Sequence, residues 1–192
     1  HYPLRRQRQM CIRDRVYTGY NQAVIETHYD GWSVVHQQAN NHVTEVKDYP
    51  RRIQSTIDPN CFVGMENWVR DKMNEHNIPV KKVTVDESWL HNYKPHEYQS
   101  VHNHTGKPNL ISLVMYAQDL ELDLPNDNSG SLYTIIAERD LTLSINEVVP
   151  TPGKTVLMTG NVNHGTYPYH NVRSALVINF VTEWLEPEEE TK

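Results

Sequence analysis

The chain has 192 residues, a hydrophobic fraction of 38% and a formal net charge of −6. This length fits one domain with at most a modest extension, and the acidic balance argues against a nucleic-acid partner, which needs a basic surface. No stretch approaches the roughly 18 consecutive apolar residues of a membrane-spanning helix, and no signal peptide is evident, so we expect a soluble, cytoplasmic protein.

The first fifteen residues differ in character from the rest of the chain. The run RRQRQMCIRDR is basic and has no amphipathic period, and MCIRDR resembles the translation of an adapter used in DNA library preparation. We therefore expect residues 1–15 to be non-native, with native sequence from about Val16; the alternative is a genuine basic arm. At the other end, the acidic residues 186–192 are expected to form a solvated tail.

Residues 16–79 are expected to form an N-terminal support region. The stretch HYDGWSVVHQQ favours a strand around Trp32 to His36. A helix is predicted over about 59–77, because Asp58 suits the N-cap and Pro59 suits the first helical position. The apolar residues of this helix fall on one stripe, which indicates packing against a core: Phe62, Met65, Trp68, Val69 and Met73.

From residue 80 to residue 185 the apolar pattern changes to the period of strands, with turn-rich segments between them. Seven strands without intervening helices predict a mostly β domain, an antiparallel barrel or jelly roll behind the N-terminal helical layer. The predicted strands are 80–93, 98–104, 110–118, 130–137, 154–160, 164–169 and 173–184.

Two histidines one residue apart, in the run SVHNHTG, are the first candidates for chemistry. In a strand His102 and His104 would point to the same face. His164 is the best third ligand for a metal, and imidazole alone does not choose among iron, zinc, copper and nickel. The remaining histidines lie singly in polar stretches and are expected at the surface: His28, His36, His42, His76, His91, His96 and His170.

Arg173 is the second unusual residue, because it opens the apolar strand ALVINFV nine residues after His164. A buried guanidinium needs a carboxylate, which it binds through two hydrogen bonds. The intervening YPYHN reads as a turn, so His164 and Arg173 are expected on neighbouring antiparallel strands. The alternative is a strand-edge arginine that is exposed to water.

These segments together resemble the iron(II)- and 2-oxoglutarate-dependent dioxygenases, in particular the prolyl-4-hydroxylase-like branch with related phage and marine bacterial proteins. The resemblance covers about Val83 to Trp184 and rests on SWLHNYKPHEYQSVHNH, LVMYAQDL, SGSLYTI and PTPGKTVLMTGNVNHGTYPYHNVRSALVINF. It implies that residues 80–185 form a double-stranded β-helix (a jelly roll), in agreement with the strand pattern.

The resemblance also implies roles for individual residues. His102 and His164 would bind iron, and Arg173 would bind the distal carboxylate of 2-oxoglutarate. His104 stands where most members have Asp or Glu; it would complete the metal site as H-x-H, unless a carboxylate from elsewhere, such as Asp86, does so.

A further hydrogen bond to the distal carboxylate needs another donor in this chain. Some members place a serine two residues after the arginine, but Ala175 stands there and Ser174 would point to the opposite face. The donor is therefore expected to be a tyrosine on another strand, with Tyr116 as the first choice and Tyr93 as the second.

The activity implied is hydroxylation of a small-molecule or protein side-chain substrate, using Fe(II) and dioxygen, with decarboxylation of 2-oxoglutarate to succinate. Two alternatives stay open. A cupin-like dioxygenase also uses three histidines but has no need of Arg173, and a non-catalytic jelly-roll binding module would keep the fold without a working site. The sequence carries no signal for an oligomeric state.

Overall fold

A computed structural model describes residues 14–19, 22–107, 109–120, 127–138, 140 and 142–185. Most of the basic N-terminal run and the acidic tail lie outside the described residues. Within these ranges the chain forms two α-helices, α1 (Trp32–Asn41) and α2 (Glu66–Glu75), and eleven strands. The strands are β1 (Arg15–Gly19), β2 (Gln22–His28), β3 (Val43–Asp48), β4 (Arg52–Ile57), β5 (Val80–Tyr93), β6 (Leu110–Met115), β7 (Leu132–Ala137), β8 (Leu143–Val148), β9 (Lys154–Thr159), β10 (Asn163–Thr166) and β11 (Arg173–Trp184).

The strands form two antiparallel sheets. The larger has eight strands in the order β1-β2-β9-β6-β11-β5-β4-β3, and the smaller has three in the order β10-β7-β8. Every strand pair within both sheets is antiparallel. The prediction of a mostly β domain with antiparallel sheets is therefore confirmed.

Two hydrophobic clusters cover the two faces of the larger sheet. One packs α1 and α2 against the sheet, and β11 supplies Leu176, Ile178 and Phe180 to it. The other fills the space between the two sheets, where Val177 of β11 meets Leu132 of β7. Because successive residues of a strand point to opposite faces, burial on both sides explains why β11 is apolar almost throughout.

The helix predicted over about 59–77 divides into two parts. Pro59–Met65 forms a 3₁₀-helix, capped by the Asp58 carboxylate, which accepts a hydrogen bond from the Asn60 backbone N–H at 3.0 Å. The α-helical part, α2, follows directly and buries Val69 and Met73. A 3₁₀ start of this kind is frequent at the N-termini of helices.

The strand expected around Trp32 to His36 is wrong, because this stretch begins α1. Val35 and Ala39 are buried four residues apart on one face of the helix, whereas Val34 is 58% exposed. Spacing by four buries one side of a helix, and here it outweighs the β-branched residues that favoured a strand.

Candidate metal centre

The three predicted metal ligands lie together at one side of the space between the sheets. One nitrogen from each of His102, His104 and His164 lies within 4.8 Å of the others. Backbone pairing creates this arrangement: the His102 N–H donates to the His164 carbonyl at 3.0 Å, and the His164 N–H donates in return at 2.9 Å. The segment before residue 105 is not the strand predicted over 98–104, since only this isolated bridge forms.

Main-chain carbonyls fix the orientation of two of the imidazole rings. Nδ1 of His102 lies 3.0 Å from the Ser100 carbonyl, and Nδ1 of His164 lies 3.0 Å from the Val162 carbonyl. A carbonyl oxygen only accepts, so each Nδ1 carries a proton, and in the neutral form of the ring Nε2 keeps a free lone pair. Hydrogen bonding of one ring nitrogen is how ligating histidines are normally held.

The surroundings keep His104 and His164 neutral. Burial, followed by the neighbouring His102 and His104, lowers the pKa of His164 to about 3 and outweighs the opposing hydrogen bond to Val162. Burial is also the largest cause of the lowered pKa of His104, with His102 next. Metal binding requires the unprotonated ring, so His104 and His164 are in the ligand form at neutral pH.

No carboxylate joins the three histidines within the described part of the chain. Asp86 was the alternative ligand considered from the sequence, but its carboxylate accepts a hydrogen bond from Lys107 Nζ at 2.9 Å. Glu87 accepts from the same ammonium at 3.0 Å and from Asn179 at 2.9 Å. The donor set that the structure offers is therefore three imidazole nitrogens.

Arg173 lies in the same cavity and is only 1% exposed. Its Nη2 donates to Thr166 Oγ1 at 2.8 Å, and its Nη1 donates to the Gly130 carbonyl. Nε is buried without a partner, and no carboxylate of the described residues lies within 4 Å of the guanidinium. An unpaired buried cation costs several kcal/mol, roughly, unless an anion compensates it.

The two predicted tyrosines differ in their surroundings. Tyr116 is 1% exposed and its hydroxyl has no hydrogen-bond partner in the described part of the molecule. Burial raises the pKa of Tyr116, so its hydroxyl keeps a proton that it can donate. The Tyr93 ring lies against the Arg173 guanidinium, with its centroid 4.3 Å from Cζ, and its hydroxyl lies 3.1 Å from His91 Nδ1.

All six predicted site residues line one cavity, which Trp89, His91, Gln99 and Thr166 also border. His164 and Arg173 reach it from different sheets, so the expectation that they lie on neighbouring strands is wrong. The turn between them carries the chain from the smaller sheet to the larger one. Ala175 lines the cavity on the same face as Arg173, whereas Ser174 is turned away and donates to Asn92.

Two residues of the cavity were missed from the sequence. His91 was expected at the surface, but it is 7% exposed. Thr166 received no role, yet its hydroxyl oxygen accepts from Arg173 and, at 2.9 Å, from the Gln99 backbone N–H. The period of two along a strand was the available signal, because residues two apart point to the same face. His91 lies two residues from Tyr93, and Thr166 lies two residues from His164.

Comparison with known proteins identifies the fold but gives no match at the level of sequence. No family model matches the chain, and no curated protein matches it. Among solved structures, a prolyl-4-hydroxylase from Pseudomonas putida aligns with a TM-score of 0.57 at 17% identity, over 83% of this chain and 92% of that one. At such identities the likeness establishes the fold.

Two further structures share this fold. An oxidoreductase of the 2OG-Fe(II) oxygenase family from Burkholderia pseudomallei has a TM-score of 0.59 at 10% identity, over 78% of this chain and 77% of that one. HygX from Streptomyces hygroscopicus, with nickel, 2-oxoglutarate and hygromycin B bound, has a TM-score of 0.58 at 12% identity, over 88% of this chain and 87% of that one.

Neither helix of the described residues is long and apolar enough to cross a membrane.

Proposed function

We propose that the chain is an Fe(II)- and 2-oxoglutarate-dependent dioxygenase that hydroxylates a substrate. One observation carries the proposal: a buried guanidinium without a carboxylate shares a cavity with three converging imidazoles. A metal and a carboxylic acid bound side by side would satisfy both features. The two sheets would then be the halves of a double-stranded β-helix of the prolyl-4-hydroxylase-like branch, with H-x-H in place of H-x-D.

The donor set fits an iron ion. His102 and His164 present Nε2 with its lone pair free, and His104 supplies the third nitrogen. Imidazole is a suitable ligand for Fe(II), and three protein ligands leave positions open on an ion that prefers six. Those positions are what a chelating co-substrate and dioxygen require.

The inner part of the cavity fits the distal carboxylate of 2-oxoglutarate. Arg173 offers a buried cation whose Nε is unused, and Tyr116 offers a hydroxyl that is equally unused. Thr166 oxygen already accepts two hydrogen bonds, so its own proton is directed elsewhere and is a third donor. Charge-assisted hydrogen bonds of this kind are roughly twice as strong as neutral ones.

With both groups bound, dioxygen would be the oxidant: one of its oxygen atoms would convert a substrate C–H bond to C–OH, and the other would enter the succinate formed as 2-oxoglutarate loses CO2. The chain's own part is to orient and to enclose. Arg173 and Tyr116 would set the position of the co-substrate, and the three histidines would hold the metal beside it. The apolar walls formed by Leu132 and Val177 would exclude bulk water from the site.

A small molecule or a protein side chain is the proposed substrate class. HygX has hygromycin B bound, and the Pseudomonas putida protein is by its name a hydroxylase of prolyl residues. A small molecule and an amino-acid residue are thus named for two proteins of this fold, and the net charge of −6 supports neither DNA nor RNA.

One rival has a specific observation in its favour. Three histidines without a carboxylate form the ligand set expected for a cupin-like dioxygenase. A cupin-like site does not require the buried Arg173 guanidinium, although burying this cation costs free energy. A non-catalytic module would leave both the arginine and the histidine cluster unexplained.

Binding of 2-oxoglutarate to the Ni(II)-loaded protein, measured by calorimetry, tests the proposal. Arg173→Gln should weaken binding of 2-oxoglutarate at least about tenfold. A hydrogen bond between charged groups contributes roughly 1.5–3 kcal/mol to the free energy of binding. Arg51→Gln is the matched control, because Arg51 is half exposed and pairs with Glu97 at 3.7 Å. Metal binding without 2-oxoglutarate binding would favour the cupin-like reading, and a protein that binds no metal would favour a non-catalytic module.

A further inference from the structure

His91 forms the centre of a short chain of side chains beside the proposed carboxylate site. In the register of the larger sheet, Gln54 on β4 lies directly opposite His91 on β5, and Ala175 on β11 lies opposite on the other side. The Gln54 amide oxygen is 3.1 Å from His91 Nε2, and the Tyr93 hydroxyl is 3.1 Å from His91 Nδ1. Both nitrogens of this ring are therefore occupied.

The chemistry of the two partners decides which nitrogen carries the proton. An amide oxygen only accepts, so Nε2 of His91 must donate to Gln54. In a neutral imidazole the other nitrogen is then an acceptor, and Nδ1 receives the proton of the Tyr93 hydroxyl. Hydrogen-bond donation thus runs in one direction, from the Tyr93 hydroxyl to His91 and from His91 to Gln54.

Burial and the surrounding charges keep His91 neutral. Burial is the largest cause that lowers the pKa of His91 to about 3, and the positive fields of Arg52, His102 and Arg173 act in the same direction. Arg52 and Arg173 lie opposite Tyr93 on its two neighbouring strands. Burial likewise raises the pKa of Tyr93, so its hydroxyl retains the proton that His91 accepts.

We infer that Gln54 and His91 are positioning residues that hold the Tyr93 hydroxyl proton away from the co-substrate. Tyr93 then presents its oxygen to the cavity as an acceptor, and the donor to the distal carboxylate is the unpartnered Tyr116. The assignment of the donor rests on the proposed function; the direction of the hydrogen-bonded chain does not. The sequence ranked these two tyrosines as alternatives for one role, whereas the structure divides the roles between them.

The ring nitrogens of His91 test the direction of the chain without any ligand. In ¹⁵N NMR of the metal-free protein, assigned with His91→Asn, Nε2 should resonate as a protonated nitrogen and Nδ1 as an unprotonated one. Tyr93→Phe should shift Nδ1 in the direction of a lost hydrogen bond while Nε2 stays protonated. A protonated Nδ1 in the wild-type protein would overturn the inference.

Affinity for 2-oxoglutarate tests the division of roles. On the Ni(II)-loaded protein, Tyr116→Phe should weaken binding at least about tenfold, and the loss should be larger than that caused by Tyr93→Phe. His91→Asn, which keeps an acceptor near Nδ1, should behave like wild type more closely than His91→Phe does. Equal losses for the two tyrosine variants would contradict the division. Lack of 2-oxoglutarate binding by the wild type would overturn the proposed function. The NMR result would still decide the direction of the hydrogen bonds among Tyr93, His91 and Gln54.

Discussion

His104 is the residue at which this site departs most from a two-histidine, one-carboxylate centre. Its backbone N–H donates to the Gly160 carbonyl at 2.6 Å, which places it beside the strand end that leads to His164. Three neutral ligands would leave a bound metal one positive charge higher than a set with a carboxylate would. The site should therefore hold an anionic co-substrate more firmly than a carboxylate-containing site would.

His104→Ala should lower the affinity for Fe(II) or Ni(II) at least about tenfold. Loss of a partner that merely orients a ligating histidine already costs about 10–100-fold in affinity, and loss of a ligand should cost no less. His104→Asp should retain metal binding, because it restores the more common ligand set. Metal titration followed by calorimetry checks both variants.

The control for this series is His42→Ala, since His42 is exposed at the end of α1. It should bind metal as the wild type does. An unchanged affinity in His104→Ala would show that His104 is not a ligand and that two histidines suffice.

At the scale of single elements, Asp14 connects the start of β1 to β2 and α2. Its carboxylate accepts hydrogen bonds from Thr27 at 2.7 Å, from Lys72 at 3.0 Å and from His76 at 3.1 Å. Burial raises the pKa of Asp14, but these hydrogen bonds outweigh burial, and the net shift is downward. The carboxylate is thus ionised and paired in the folded chain. The expectation that residues 1–15 are non-native stays a prediction.

Asp14→Asn should lower the free energy of unfolding by about 1–3 kcal/mol at neutral pH, the usual range for loss of a charged hydrogen-bond partner. Because the native pKa lies below the ordinary value of 3.8, this contribution is present above that pH and is lost as the pH falls through the native value. Urea unfolding at several pH values checks both statements.

Asp71→Asn serves as the matched control, because the Asp71 carboxylate is 64% exposed and pairs only with its neighbour Arg70 among the described ion pairs. Exposed pairs contribute about 0–1 kcal/mol. Equal stabilities of Asp14→Asn and Asp71→Asn would mean that Asp14 does not connect these elements.

The elements that could be predicted are those with a strong and continuous pattern. The strands predicted over 80–93 and 173–184 coincide with β5 and β11, most of whose apolar residues are buried. Strand β3 is exposed at every residue, so it has no apolar face to detect. Strand β8 was missed although Leu143 and Ile145 alternate with polar residues; in the structure these two side chains are 69% and 60% exposed.

At the scale of the whole molecule, the site exists only where the two sheets face each other. His164 comes from the smaller sheet and Arg173 from the larger one. The residue types and their order along the chain were enough to select these two side chains as candidates. Their placement across a cavity depends on sheet packing between distant segments, which no local pattern encodes.

The same limit explains why His91 was missed. Tyr93 lies two residues from His91 on the same strand, whereas Gln54 belongs to β4. Only the pairing of β4 with β5 brings Gln54 next to His91. The spacing of two indicates that His91 and Tyr93 share a face of β5, but no local pattern indicates that Gln54 on another strand is a partner of His91. The cavity is therefore lined by more polar side chains with a proposed role than the sequence alone indicates.

We propose that one cavity of this molecule binds Fe(II) and 2-oxoglutarate together. The most direct measurement is an anaerobic titration of the metal-free protein with Fe(II) and 2-oxoglutarate, followed in the visible range for the charge-transfer band of the chelated co-substrate. We expect a band that requires both components, that is absent in His164→Ala, and that needs a higher 2-oxoglutarate concentration in Arg173→Gln. Iron bound without any band on addition of 2-oxoglutarate would contradict the account.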